Sequence, residues 1–284
     1  FLLGIFVRPP KDASSYIFMG RKLTVPAFVL SLVSTWYGGI LEVGRFSYEY
    51  GIVTWLIFSL FYYLAAVLYA MFLVPKISNS NIQTIPHAIR IAFGKRSGFI
   101  VAILIVFIAS PAPYIKMLST IIDYLFQSGP FLAILLSTLF SVIYTIRGGF
   151  KSVVRTDMFQ FFFMFFGFFM ILVYLYSHYG GYDFLISTLP PEKLHFPGDL
   201  SWSYILVWSL IAMVTFIDPN FYQRSFAGSS TKNVQKGIYI SILFWFVFDI
   251  MSISTGLYAA AIITEIKYSP FLDLASFVLP PIFQ

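Results

Sequence analysis

Val25-Pro-Ala-Phe-Val-Leu-Ser-Leu-Val-Ser-Thr-Trp-Tyr-Gly-Gly-Ile-Leu-Glu-Val43 is the stretch on which the fold turns. It is apolar and long enough to cross a bilayer, which takes about 20 residues for about 30 Å of hydrocarbon. Its middle, Ser34-Thr35-Trp36-Tyr37-Gly38-Gly39, sets two glycines side by side. Paired glycines weaken a helix and let backbone groups face a cavity. The plainer alternative is close packing, a common use of small residues in membrane helices. A second irregular span, 203–222, ends in Asp218-Pro219-Asn220. There the proline removes a backbone hydrogen bond, and the aspartate is a poor lipid-facing residue.

Similar apolar spans recur at 51–74, 98–126, 131–146, 157–177 and 237–263, which makes seven complete spans. An apolar opening, Phe1 to Val7 before Arg8, reads as the end of a further helix. The last residues, Pro280-Pro281-Ile282-Phe283-Gln284, have no terminus-like character, so the sequence reads as an internal piece of a longer protein. With 59% hydrophobic and only 11% charged residues, the chain has too little charge for a water-facing surface. Lipid must therefore be the partner of most of that surface. Helices are required because hydrocarbon offers no partner to backbone N–H and C=O groups.

The loops orient the spans. Segments 8–24, 75–97, 147–156 and 223–236 hold 14 of the 18 Lys and Arg residues, all on one side of the alternation. That side is read as cytoplasmic, in a multi-pass protein of the plasma (inner) membrane. The net charge of +6 thus reports orientation and gives no support to nucleic acid as a partner. Segment 82–94 is short and amphipathic and is expected at the inner interface. Segment 178–202 is the longest outer loop, with room for a short helix.

The two broken spans occupy the first and sixth positions of the count. Interrupted helices at matching positions of two halves point to inverted repeats, with substrate and ion held at the unwound backbone. Charged residues within spans are the other signal. Asp249 falls in the middle of 237–263, where a carboxylate is either functional or a neutral acid bonded to a neighbouring helix. Asp157, after Arg155-Thr156, is either a first-turn acid at a helix start or part of an ion pathway. Arg224 is expected to pair with Asp218 or with another acid. Lys116 and Asp123 either line an outer vestibule or, for the lysine, snorkel to the interface. His87, His178 and His195 have no metal-ligand spacing, and no catalytic or phosphate-binding motif points to an enzyme or to an organic cofactor.

Arg147-Gly-Gly-Phe-Lys-Ser-Val-Val-Arg-Thr-Asp-Met-Phe-Gln160 resembles the Gly-Gly-aliphatic-x-Ala-Val-x-x-Thr-Asp-x-x-Gln motif of the sodium:solute symporter family. Asp218 to Gly228 is similar to that family's Gln-Arg-x-x-Ala motif at Gln223-Arg224, and Gly20-Arg21-Lys22-Leu23 to its Gly-Arg-Ser-Leu motif. The order and spacing of all three agree with the family across essentially the whole chain. The resemblance implies an all-α integral membrane bundle of the leucine-transporter type, with five-plus-five inverted repeats and one extra helix in front. On that map, 1–8 ends the extra helix, 25–177 is the first repeat and 203–284 opens a truncated second repeat.

The resemblance also implies roles. Sodium, the coupling ion, would be bound by carbonyls near Leu32 and Thr35 and by hydroxyls of a helix beyond the chain, so that the site lies partly outside it. Asp157 would take part in coupling. Ser34 stands where sodium/proline symporters carry an aspartate. The solute would meet Ser34, Trp36, Tyr37, Gly38, Gly39, Thr215 and Asp218. Gly148, Gly149, Gln223, Arg224 and Asp249 would serve gating or structure. The sugar-contacting positions of sodium/glucose symporters fall on Ile211, Val214 and Thr215, and their first-helix glutamine on Gly39, which disfavours a sugar. The implied activity is sodium-coupled symport of a small organic solute, an amino acid or organic acid rather than a sugar, by alternating access. The alternative is a membrane sensor of the same fold at the input of a signalling protein.

Overall fold

A computed structural model describes residues 12–78, 80, 82 and 84–279. The expected partial helix at 1–8 lies outside the described residues. The chain is built from helices, and among the described residues the only β-pairing is a single bridge, Leu23 with Gly228.

The short helix α1 (Ala13–Phe18) begins where the Asp12 side chain accepts the Ser15 N–H. The first broken span follows as α2 (Val25–Trp36) and α3 (Ile40–Tyr50). Between them, Tyr37–Gly39 forms one 3-10 turn. The glycines therefore do not unwind the helix as expected. The chain tightens through them and continues, with the Ile40 N–H bonded to the Tyr37 carbonyl.

Next comes α4 (Leu56–Ser78), which carries two π-helical stretches at Leu56–Leu60 and Tyr69–Leu73. The amphipathic segment is α5 (Ile85–Phe93), capped by Thr84 and leaving Ile91 and Phe93 exposed. The span expected at 98–126 is two helices, α6 (Lys95–Ile108) and α7 (Ala112–Phe126), interrupted at Ala109–Pro111. Prolines at 111 and 113 disfavour the helical conformation of the residues before them.

Two expected spans and the loop between them form the 50-residue helix α8 (Pro130–Tyr179). Its only non-helical residue is Gly149, at φ 56° and ψ −151°. The expected loop 147–156 is thus helical except at one glycine. Asp157 consequently lies inside a helix, two turns past the break, and is not a first-turn acid. By length and hydropathy, six helices among the described residues are able to cross a membrane. The expected span 131–146 forms the first arm of α8, ahead of the break at Gly149.

The outer loop carries α9 (Tyr182–Thr188). The second broken span is α10 (Trp202–Ile211), a 3-10 stretch Ala212–Ile217, extended Asp218, and α11 (Pro219–Ala227). Asp218 caps α11 by accepting the Asn220 N–H at 2.8 Å. The long α12 (Thr231–Ile262) and the outer helix α13 (Pro270–Val278) complete the described chain.

The core sits where α12 and the second arm of α8 close on α2. Phe28, Leu32, Tyr69, Trp245 and Phe248 are each at most 2% exposed there. Phenylalanines 162, 163 and 166 point outward and are well exposed, as a lipid-facing surface requires.

Candidate functional site

Three structures converge on the break in the first span: a buried ion pair, a buried carboxylate between two tyrosines, and a cavity. The ion pair joins Asp157 of α8 to Arg224 of α11, with Nη2 3.0 Å from Oδ2. Both side chains are buried. Neither charge would be tolerable there alone, and each is offset by the other and by hydroxyls of α2. Ser31 donates to Asp157 Oδ2 at 2.5 Å and Thr35 at 3.3 Å. Arg224 donates to Ser31 Oγ at 3.1 Å, to Thr35 Oγ1, and to the Asn220 carbonyl at 3.3 Å. Arg224 therefore takes the second of the two expected partnerships, since Asp157 and not Asp218 holds it. Ser34 is turned to the same helix, donating to the Asp157 carbonyl at 2.7 Å. One face of α2 is thus tied to α8 and α11 by hydroxyls spaced three and four residues apart, which is one helical face.

Asp249 of α12 is 2% exposed. The Tyr37 hydroxyl donates to Oδ1 at 2.7 Å and the Tyr63 hydroxyl to Oδ2. The Tyr37 hydroxyl also lies 2.9 Å from the Trp245 carbonyl. Tyr37 belongs to the 3-10 turn, so this clamp holds the break of the first span against α12.

Between these features lies a cavity of about 390 Å³. Leu32, Thr35, Trp36, Tyr37 and Gly39 line it from the first span, and Asp218, Asn220 and Phe221 from the second break. Phe58 and Tyr62 of α4, Tyr114 of α7 and Asp249 also reach it. The two broken spans thus meet at one cavity. Gly38 and Gly39 divide the two roles expected of the pair. A Cβ on Gly38 would lie 2.6 Å from the Tyr114 ring, so this glycine serves close packing. A Cβ on Gly39 would meet nothing within 4 Å, so this one opens onto the cavity.

A second cavity of about 790 Å³ is lined by Arg45, Lys116, Asp123 and Glu265. Lys116 and Asp123 therefore line one cavity together. Glu42 and Met117 line both cavities and mark where they meet.

Other expected residues lie elsewhere. Thr215 is buried, its hydroxyl has no partner among the described residues, and it is not part of the cavity lining. Gln223 donates to the Ile17 carbonyl at 3.1 Å and so ties α11 to α1. Gly148 and Gly149 are buried at the α8 break, where the Tyr16 hydroxyl donates to the Thr145 and Ile146 carbonyls. Sequence reasoning missed Ser31, Tyr62, Tyr63 and Tyr114. Ser31 and Ser34 at helical spacing were readable; the tyrosines had no local signal.

The sodium:solute symporter family model matches residues 16–269. The chain is similar to a sodium/glucose cotransporter of Vibrio parahaemolyticus, 23% identical over 95% of this chain and 54% of that protein. It is also similar to a solved sodium-coupled sialic acid symporter in a substrate-bound outward-open state. That match has a TM-score of 0.82 and 18% identity over 99% of this chain and 64% of that one. The chain thus spans about half the length of the curated relative and under two thirds of the structural one. With six helices among the described residues able to cross a membrane, it is a multi-pass membrane protein. Its architecture is the all-α, inverted-repeat membrane bundle expected from the sequence.

Proposed function

Because the chain belongs to the sodium:solute symporter family, we propose that the protein carrying it drives a small organic solute across the plasma membrane with sodium, by alternating access. The carrying observation is the cavity at which both broken spans meet, with a second cavity adjoining it at Glu42 and Met117. The solute sits against Trp36, Gly39 and Asp218. The first repeat, 25–177, and the start of the second, 203–284, rock about this site.

Sodium is cargo in this reading. Thr35 faces the cavity and also touches the ion pair. A cation arriving beside Thr35 competes with Arg224 for Asp157, and α2 then changes its hold on α8 and α11. The binding of sodium is thereby linked to the arrangement of the broken helices, which is what coupling requires. The membrane potential adds about 2.3 kcal/mol per charge per 100 mV to the drive.

Of the expected solute classes, an amino acid fits better than a purely anionic organic acid. The cavity's carboxylates, Asp218 and Asp249, are unfavourable to a bare anion. The backbone N–H of Ile40 is used within the 3-10 turn and is not free for a carboxylate. Uptake into proteoliposomes tests the reading. Accumulation under an inward sodium gradient, its absence under potassium, and its loss in Gly39→Leu are the expected results. Equal uptake in both salts overturns sodium coupling.

A further inference from the structure

The central cavity has an unusual balance of charge. Its lining includes three acids, Glu42, Asp218 and Asp249, and no Lys, Arg or His. Glu42 is compensated by Arg45, 2.9 Å away. Asp218 and Asp249 have no cation within 4.0 Å among the described residues. The one buried cation nearby, Arg224, is held by Asp157. Two carboxylates therefore face a largely apolar cavity without a contacting cation: Asp249 has neutral hydrogen bonds, and Asp218 has neutral hydrogen bonds and the more distant charge of Arg224. Buried charge of one sign without a partner is costly, and the cost falls when a cation enters.

The walls indicate which cation. Trp36, Phe58, Tyr62, Tyr114 and Phe221 surround the space. Trp36 lies 4.9 Å edge-to-face from Tyr62 and 6.5 Å from Phe221, so their rings form a corner and not a flat stack. Ring faces attract cations, and a cage of them suits an organic ammonium, whose charge is spread over carbon-bound hydrogens. A metal ion would want several oxygen ligands in place of these rings. A cavity of about 390 Å³ is also in the range for a small organic ligand.

We propose that this cavity takes a solute bearing a positively charged nitrogen, a primary, secondary or quaternary ammonium, held between Asp218 and Asp249 within the aromatic walls. This rests on reading the cavity as the solute site. A zwitterionic amino acid falls within the class, and a sugar or a simple organic acid falls outside it.

The test uses the purified full-length protein and pairs of isosteres that differ in the charged nitrogen: choline with 3,3-dimethyl-1-butanol, alanine with propionate, proline with cyclopentanecarboxylate. Glucose is added as a neutral sugar. Binding is read as a rise in melting temperature, with and without sodium. At least one amine should stabilise the protein, with its isostere at least about ten-fold weaker. Asp218→Asn, which still caps α11, should weaken that amine about ten-fold while its ligand-free melting temperature stays near the wild type. Asp249→Asn should weaken the same amine as well, from a second helix. Equal binding of amine and isostere, binding of propionate or glucose where no amine binds, or no response to any amine overturns the proposal. The two readings fail separately. A carboxylate or sugar whose binding needs sodium sinks the ammonium and leaves symport, whereas an amine bound regardless of sodium does the reverse.

Discussion

Removing Arg224 should expose how far the buried pair governs this bundle. Arg224→Gln deletes the 3.0 Å contact to Asp157 and the bonds to Ser31, Thr35 and Asn220. It leaves the Asp157 carboxylate with only Ser31 at 2.5 Å and Thr35 at 3.3 Å. An uncompensated buried charge of this kind costs about 3–5 kcal/mol. Asp157→Asn strands the guanidinium instead and should cost a similar amount. In the double variant both charges are gone, and two neutral amides share the same hydroxyls. Its cost should therefore fall short of the sum of the singles by about 2–3 kcal/mol. Reversible unfolding in dodecyl sulfate, with all four proteins in one lipid–detergent mixture, yields the cycle. A single variant costing less than about 1 kcal/mol, or strict additivity, would refute the account of the pair as mutually dependent.

Gly38→Ala should destabilise by about 1–3 kcal/mol through overpacking on Tyr114, with recovery on adding Tyr114→Leu; the same unfolding assay checks it. Gly39→Ala should change stability by less than about 1 kcal/mol yet weaken solute affinity, because its methyl group enters the cavity. Gly149→Ala should cost at least about 2 kcal/mol, since φ 56° with ψ −151° suits only glycine and a Cβ would lie 2.5 Å from the Tyr16 carbonyl oxygen. Tyr37→Phe should cost about 1–3 kcal/mol by leaving Asp249 Oδ1 without its donor, read from the same titration.

Spans and breaks are largely legible in a membrane sequence because composition and glycine or proline act locally. The fold class, the two broken spans and the short amphipathic helix were readable for that reason. The break at Ala109–Pro111 was also readable, from Ser110-Pro111-Ala112-Pro113, and the apolar run around it concealed the signal. The helical path through 147–156 was not, because its basic residues mimic a loop and only Gly149 leaves the helix. Partnerships were harder. Asp157 and Arg224 are 67 residues apart, and Tyr63 reaches Asp249 across 186. Nothing local marks such pairs. Gly38 and Gly39 are equivalent as sequence, and only the placement of Tyr114 separates packing from cavity.

The most direct measurement of the central claim is the current evoked by a solute in proteoliposomes holding the full-length protein, with sodium or potassium outside. A positive inward current that needs both solute and sodium, and that is lost in Gly39→Leu, is the expected result. Solute binding that ignores sodium and evokes no current would contradict symport and favour a sensor built on the same fold.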